Sequence, residues 1–101
     1  MGLLLPVLVL AKTWRVDKQG AIRSIQEAVN RAAAGDTILV EKGTYVEKGL
    51  LINKPLYLKG MNMPVLDGEN KYEIISVKAD RVTIEGFYLK RSGFSGWNDI
   101  A

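Results

Sequence analysis

A short pattern that occurs twice limits the folds this chain can adopt. Residues 56–60 (LYLKG) and 82–86 (VTIEG) both place apolar residues at the first and third positions, a charged residue at the fourth and glycine at the fifth. A second β-type segment follows each of them. A strand, a glycine corner and another strand, repeated along a chain, are typical of proteins whose structural units stack on one another.

Further β-type segments fill the rest of the second half of the chain. Beyond residue 36 no segment keeps the 3.6-residue period of a helix, and short runs of apolar and aromatic residues alternate with turn residues. The predicted strands are 37–40, 45–47, 50–52, 56–58, 65–66, 74–77, 82–84 and 87–89. They are too short for a sandwich of hairpins, and no helices lie between them to form βαβ units.

The glycine corner at Gly86 indicates how these strands are arranged. Val82 and Ile84 share one face of their strand, whereas Phe87 and Leu89 would lie on the opposite face of a straight continuation. Both pairs can face one interior only if the chain bends at Gly86, and glycine allows such a bend at little cost. The sequence therefore predicts a mainly β fold, a parallel β-helix in which the short strands of each coil pair with those of the next.

A corresponding bend is predicted at Gly60, and the two bends divide the chain into coils. One coil runs from about residue 37 to 55, the next from 56 to 81, and a third begins at 82. A solenoid needs about three repeats to bury a continuous core, and the end of the sequence shows no capping segment. We therefore expect residues 20–101 to form the N-terminal cap and the first two to three coils of a truncated β-helix domain.

An amphipathic helix is predicted over residues 24–34. Ser24 and Glu27 have capping-box spacing, in which the Ser24 hydroxyl accepts from the Glu27 amide and the Glu27 carboxylate accepts from the Ser24 amide. Apolar side chains then recur at helical spacing on one face: Ile25, Ala28, Val29, Ala32 and Ala33. Gly35 follows, as is typical of a helix C-terminus. This helix would cover the unpaired strand edges of the first coil.

The N-terminal segment admits two interpretations. Residues 3–10 (LLLPVLVL) are uniformly apolar and much shorter than the ~20 residues needed to span a bilayer. They match the apolar part of a secretory signal peptide, with a candidate cleavage site after Ala11, although no Lys or Arg precedes them. The alternative is a buried first strand or an apolar plug at one end of the fold. Residues 1–19 are therefore a candidate signal-peptide remnant and lead-in.

Several motifs occur in the order that is typical of one superfamily. They are SIQEAV (24–29), AGDTI (34–38), GTY (43–45), NKPL (53–56), LKG (58–60) and VLDG (65–68). This succession resembles the opening of right-handed parallel β-helix proteins of the pectin-lyase-like superfamily. Within it, the segments 53–56, 64–68, 79–87 and 91–93 are most similar to the family of periplasmic maturation proteins for nitrous oxide reductase (NosD). The resemblance covers about 20–101.

The resemblance implies an exported, non-enzymatic accessory protein. Such a protein would be periplasmic or secreted and would act with an ABC transporter in assembling the copper centre of nitrous oxide reductase. Copper is thus implied by the resemblance alone, because the chain has no Cys or His. Met61 and Met63 are the closest pair of soft ligands, and copper(I) favours thioethers. The alternative is that both methionines fill a turn after Gly60.

The second hypothesis is a carbohydrate-binding or carbohydrate-processing β-helix protein. Tyr57 and Tyr88 are predicted at outward positions, where aromatic rings can stack on sugars. Trp97 and Asp99 belong to a polar, glycine-rich segment, a typical place for binding residues. These four residues are the candidate ligand-binding residues.

No catalytic residue is assigned from the sequence. Asp67 and Glu69 are two residues apart and form a candidate carboxylate pair for acid–base or metal chemistry, but Asp67 followed by glycine is more typical of a turn. If the protein is an enzyme, the resemblance implies a polysaccharide lyase, hydrolase or epimerase. Nucleic acid is not expected as a partner, because the net charge of +3 is interspersed in sign and forms no basic stripe.

Overall fold

Short strands and one helix make up the computed structural model of the protein, which describes residues 10–70 and 73–91. In chain order they are β1 (Thr13–Val16), α1 (Ile25–Arg31), β2 (Thr37–Val40), β3 (Thr44–Tyr45), β4 (Leu50–Ile52), β5 (Tyr57–Gly60), β6 (Val65–Asp67), β7 (Ile75–Val77), β8 (Thr83–Glu85) and β9 (Tyr88–Lys90). Within this part of the chain, no helix is long and apolar enough to cross a membrane.

The strands form three parallel sheets around one interior. The four-stranded sheet has the order β1-β2-β5-β8, the three-stranded sheet β3-β6-β9, and the two-stranded sheet β4-β7. Strands that follow one another along the chain from β2 onward lie in different sheets, and each pairs with its counterpart in an adjacent coil. The predicted β-solenoid is thereby confirmed, with about three turns. The right-handed sense of its winding stays a prediction.

Inward side chains stack from coil to coil to form the core. Ile38 and Leu58 occupy one register position of the four-stranded sheet and are fully buried. In the last described coil, Ile84, Phe87 and Leu89 are only half-buried but pack against the same core. The expectation that both strands around Gly86 face one interior is therefore confirmed.

The two predicted glycine corners differ in mechanism. Gly86 has φ of +85°, a conformation that suits glycine, and the chain bends there as expected. Gly60 does not have a positive φ. The bend comes later, at Asn62 and Met63, whose φ angles are 61° and 53°. Glycine is required at Gly60 for a different reason, because a Cβ atom there would lie 2.3 Å from the Gly86 carbonyl oxygen.

The helix is shorter than predicted and ends at Arg31 rather than at residue 34. The Ala33 amide, which a longer helix would use internally, donates to the Asp36 carboxylate at 2.8 Å, and the Asp36 amide donates back to the Ala33 carbonyl at 3.1 Å. This turn replaces the last helical turn and leaves Ala33 exposed rather than on the apolar face. Gly35, with φ of +90°, lies within the turn.

The helix N-terminus is capped partly as predicted. The Glu27 amide donates to the Ser24 hydroxyl at 3.3 Å, which is the first half of the capping box. The Glu27 carboxylate pairs instead with Arg31 at 3.1 Å. A different carboxylate, that of Glu47, caps this end of the helix and accepts from the amides of Ile25 (3.0 Å) and Gln26 (3.2 Å). A carboxylate at this end of the helix is favourable because the helix dipole is positive there.

The first coil is covered by two elements. β1, which lies in the segment that the sequence analysis treated only as a lead-in, pairs in parallel with β2. α1 packs against β1, β2 and β4 and buries Ile25, Ala28 and Val29. The helix covers this end of the interior, as predicted.

Gln26 takes the place of a neighbouring strand at the edge of β4. The Leu51 amide donates to Gln26 Oε1 at 2.8 Å, and Gln26 Nε2 donates to the Leu51 carbonyl at 3.1 Å. The side-chain amide thus satisfies a donor and an acceptor that another coil would otherwise pair. Asn30, one helical turn on, accepts from Gln26 Nε2 at 3.0 Å and orients it.

Replacing Gln26 with alanine should lower the free energy of unfolding by about 1 kcal/mol, because two partly exposed hydrogen bonds to the backbone of β4 are lost. Urea unfolding followed by circular dichroism would measure this change, and hydrogen exchange of the Leu51 amide should accelerate. The matched control is Gln19→Ala, which changes an exposed glutamine whose side chain has no hydrogen bond within the described residues. Equal losses in the two variants would contradict the prediction.

Candidate functional site

The outer face of the four-stranded sheet carries two straight rows of side chains. One row is formed by Thr13, Thr37, Tyr57 and Thr83, and the other by Arg15, Leu39, Lys59 and Glu85. Neighbouring members of a row are about 4.8 Å apart along the solenoid axis, since they lie on adjacent strands. The first row, named here the hydroxyl row, presents a hydroxyl group at every strand.

A cleft of about 430 Å³ opens at the end of this face where the strands begin. Its lining residues are Ala34, Gly35, Pro55, Leu56, Tyr57, Arg81 and Thr83. Backbone hydrogen bonds fix its walls: the Gly35 amide donates to the Pro55 carbonyl at 2.8 Å, and the Thr83 amide donates to the Leu56 carbonyl at 2.9 Å. The cleft is therefore built from three successive coils.

Tyr57 forms one wall of the cleft and is held by a charged neighbour. Hydrogen bonding to the Glu85 carboxylate raises the pKa of the Tyr57 phenol, and partial burial and the negative charge of Glu85 act in the same direction. The phenol therefore stays protonated well beyond neutral pH.

Arg81 brings a positive charge to the cleft. It lies in a turn with φ of 57°, its side chain is exposed, and it forms no ion pair or hydrogen bond with the described part of the chain. A guanidinium group in this state is free to bind a carboxylate or a hydroxyl group of a ligand. Together with the Thr83 hydroxyl, it supplies polar groups next to apolar walls, a combination typical of small-molecule sites.

Tyr88 is on another face of the molecule. It belongs to β9 in the three-stranded sheet, where its register partner is Val65, and its exposed fraction is 56%. The prediction of an outward position is confirmed for both Tyr57 and Tyr88. The two rings do not form one surface, because they belong to different sheets.

Asp67 has a structural role in the second and third coils. Its carboxylate accepts from the Glu69 amide at 2.9 Å, which is the turn expected from the sequence, and from Arg91 through Nε at 3.1 Å and a terminal nitrogen at 2.5 Å. The Arg91 hydrogen bond, followed by that of the Glu69 amide, lowers the pKa of Asp67. Its partners are thus all provided by the fold, and it does not form an acid–base pair with Glu69.

Met61 and Met63, the candidate copper ligands, follow Gly60 in a turn. Met61 is half-buried and Met63 is 59% exposed. Among the residues that the structure describes, no group of three or more Asp or Glu side chains comes together near them or elsewhere to hold a metal ion. Copper binding stays a prediction from the resemblance.

Two candidate ligand-binding residues, Trp97 and Asp99, lie outside the described residues, as does the apolar segment 3–9. The structure adds two residues to the candidate site that were not predicted from the sequence, Arg81 and Thr83. Thr83 could have been predicted, because it occupies the same position of the repeated pattern as Tyr57. No sequence pattern indicated Arg81. Its position near Pro55 in the cleft depends on how far one coil is offset from the next.

No protein-family model, curated protein or solved structure matches this chain. The membership in the pectin-lyase-like superfamily and the likeness to the nitrous oxide reductase maturation family therefore stay predictions that rest on the motifs.

Proposed function

We propose that the outer face of the four-stranded sheet is a non-catalytic carbohydrate-binding surface, centred on the cleft at Tyr57. The observation that carries the proposal is the position of Tyr57, an aromatic wall of the cleft, beside Arg81, which has no partner among the residues that the structure describes. Sugar rings bind proteins through an apolar face that stacks on an aromatic ring and through hydroxyl groups at their edges.

The hydroxyl row supports the same proposal. Thr37 and Thr83 lie on either side of Tyr57 in register, so hydroxyl groups flank the ring along the solenoid axis. A sugar residue stacked on Tyr57 could therefore exchange hydrogen bonds with its neighbours on both sides. Arg81 favours a sugar that carries a carboxylate, because charge-assisted hydrogen bonds are stronger than neutral ones.

The copper-related function that the resemblance implies remains a separate proposal without support from the geometry of the described residues. Titration of the protein with copper(I) tests it directly. Stoichiometric binding that is lost in a Met61→Leu, Met63→Leu variant would favour it, and absence of binding would count against these two residues as ligands.

Replacing Tyr57 with alanine should weaken polysaccharide binding by about tenfold, because the loss of one stacked aromatic ring costs about 1.4 kcal/mol. Isothermal titration calorimetry with polygalacturonate and with a neutral glucan would measure the affinity. The matched control is Tyr88→Ala, which removes an exposed tyrosine from a different sheet and should leave the affinity unchanged. Equal affinities for wild type and Tyr57→Ala, or no binding of either polymer, would refute the proposal.

A further inference from the structure

Two carboxylates are buried in the described part of the chain, and they differ in their partners. Asp67 is 5% exposed and forms an ion pair with Arg91. Asp36 is 4% exposed, and it forms no ion pair with any side chain that the structure describes. Buried carboxylates are usually paired with a cation, because an unpaired charge is costly to remove from water. Asp36 therefore lacks the cationic partner that its burial favours.

One oxygen of Asp36 binds the main chain immediately before β1. The Lys12 amide donates to Asp36 Oδ1 at 2.9 Å, and the Lys12 carbonyl accepts from the Thr37 amide at 2.9 Å. The other oxygen, Oδ2, accepts from the Trp14 indole at 3.0 Å and from the Ala33 amide at 2.8 Å. All three of these donors are neutral. A positive charge on the Lys12 nitrogen would supply the missing cation at a position that is already within hydrogen-bond distance.

The sequence has a candidate processing site at this same nitrogen. The apolar segment 3–10 resembles the apolar part of a signal peptide, and Val9 and Ala11 would occupy the −3 and −1 positions of a cleavage site. Among the described residues, neither Leu10 nor Ala11 forms a hydrogen bond, whereas both main-chain groups of Lys12 do. Hydrolysis of the bond between Ala11 and Lys12 therefore breaks no hydrogen bond that the structure describes.

We propose that the chain is cleaved between Ala11 and Lys12 and that Asp36 binds the new N-terminal ammonium group of Lys12. A leader peptidase of an export system would catalyse the hydrolysis. Water adds across the peptide bond, Ala11 leaves as a carboxylate, and the Lys12 nitrogen takes up protons to become an ammonium group. The contact with Asp36 Oδ1 then joins two opposite charges. The proposal is independent of carbohydrate binding, since neither Tyr57 nor Arg81 takes part.

Two lysine ammonium groups also belong to this region. That of Lys12 lies over the Trp14 ring, 4.0 Å from its centroid, and that of Lys54 donates to the Ala32 carbonyl at 2.7 Å. Both repel a new ammonium group, whereas the Asp36 carboxylate is in direct contact with it. Contact between opposite charges dominates, because the Coulomb energy falls with distance. The new α-amino group should therefore keep its proton to a higher pH than a free N-terminus does.

Processing also strengthens the attachment of β1 to the fold. Before cleavage, the hydrogen bond from Lys12 to Asp36 joins a neutral amide to a carboxylate. After cleavage both partners are charged, and charge-assisted hydrogen bonds are about twice as strong as neutral ones. The processed protein should therefore be more stable than a form in which the same nitrogen remains in a peptide bond.

Export of the full chain from a bacterial host tests the cleavage. The intact mass and N-terminal sequence of the exported product should correspond to a chain that starts at Lys12. The control is Ala11→Leu, which replaces the small residue at the −1 position and should prevent cleavage at this bond. A product that starts at another residue, or a chain that keeps residues 1–11, would overturn the proposal.

Reactivity of the new α-amino group tests its contact with Asp36. An aldehyde reagent selective for N-terminal α-amino groups reacts only with the deprotonated amine. At pH 7, the exported wild-type product should react at least about tenfold more slowly than exported Asp36→Asn, as judged by intact mass. Asp17→Asn, which changes an exposed carboxylate, should react like the wild type. Since Asp36→Asn also loses stability, the wild-type product in urea provides a second comparison and should react about tenfold faster than without urea.

A product that retains Ala11 is the sharpest comparison, because every side chain from residue 12 onward is unchanged. Its charged N-terminus is one residue away from Asp36, and Lys12 again donates a neutral amide. At pH 7 its midpoint of thermal unfolding should be about 4–8 °C lower than that of the product starting at Lys12. The α-amino group stabilises the fold fully below its unfolded-state pKa, so the difference should shrink as the pH rises above about 8.

Two further results would overturn the proposal. One is an α-amino group that reacts equally fast in the folded wild-type product, in Asp36→Asn and in urea, which would show that Asp36 does not bind it. The other is an equal midpoint of thermal unfolding for the products that start at Lys12 and at Ala11. Neither result bears on the carbohydrate-binding surface, because polysaccharide affinity is measured separately.

Discussion

Replacing Gly60 with alanine is expected to lower the free energy of unfolding by about 3 kcal/mol. The new Cβ atom would lie 2.3 Å from the Gly86 carbonyl oxygen, 2.8 Å from Pro64 Cδ and 2.9 Å from the Gly86 carbonyl carbon. Because two of these three atoms belong to the backbone of the next coil, the clash can be relieved only by moving the coils apart. Urea unfolding followed by circular dichroism would measure the loss, and a change below about 1 kcal/mol would contradict it.

Gly35→Ala is the matched control for this experiment. Gly35 has φ of +90°, but a Cβ atom there would have no neighbour within 4 Å. The variant therefore has only the cost of a left-handed backbone conformation, roughly 1–2 kcal/mol. A larger loss for Gly60→Ala than for Gly35→Ala would show that contact between the coils, rather than backbone conformation, requires the glycine at position 60.

Replacing Asp36 with asparagine should lower the free energy of unfolding by about 2–3 kcal/mol at neutral pH. Asp36 is 4% exposed, and its two carboxylate oxygens accept from the Lys12 amide (2.9 Å), the Trp14 indole (3.0 Å) and the Ala33 amide (2.8 Å). An amide side chain has one oxygen, so its NH2 group would face at least one of these donors. The buried donor would then lack a partner.

The destabilisation caused by Asp36→Asn is expected to depend on pH. Hydrogen bonds from the Lys12 amide, then the Trp14 indole and the Ala33 amide, lower the pKa of Asp36 below 3.8, its ordinary value. Its ionisation therefore stabilises the fold fully above about pH 4, and this stabilisation is lost as the pH falls through the lower, folded-state pKa. The difference in unfolding free energy between wild type and Asp36→Asn should shrink below pH 4. Comparing the two proteins removes the contribution of Asp67, whose pKa is also lowered.

Asp17→Asn is the control for Asp36. Among the described residues, the Asp17 carboxylate accepts one exposed hydrogen bond, from the Gln19 amide at 3.0 Å. Its replacement should change the free energy of unfolding by no more than about 0.5 kcal/mol. A difference between wild type and Asp36→Asn that stayed constant from neutral pH to below pH 4 would refute the assignment of the acid sensitivity to Asp36.

The repeat around Gly60 and Gly86 predicted the stacking of coils because alternation and glycine spacing are local features of the sequence. It did not predict that the two glycines face each other, because that contact depends on the register between coils. The pattern also placed a bend at Gly60, whereas the chain turns at Asn62 and Met63. Local sequence therefore defined which strands exist, and the packing between coils decided where the chain turns.

The end of α1 also shows that local sequence and long-range contacts determine different features of the fold. Ser24 and the apolar spacing predicted the start of α1, but the Asp36 carboxylate withdraws the Ala33 amide from the helix and ends it early. Glu47 and Gln26 form their main contacts with residues more than 20 positions away. In the candidate site, Tyr57 was found because an aromatic residue at an outward position is visible in the sequence. Arg81 was not found, because no local feature of the sequence relates it to Pro55, which lines the same cleft.

The lengths of the connections between strands indicate where the chain tolerates insertions. β4 begins at Leu50, soon after β3 ends at Tyr45, whereas β7 begins at Ile75, well after β6 ends at Asp67. Both connections nevertheless join the same two sheets, and Leu50 and Ile75 remain register partners. The longer connection therefore leaves the register between β4 and β7 in the stacked interior unchanged. Peptide segments of varied length could be inserted at this corner, and the solenoid would display them while keeping its core.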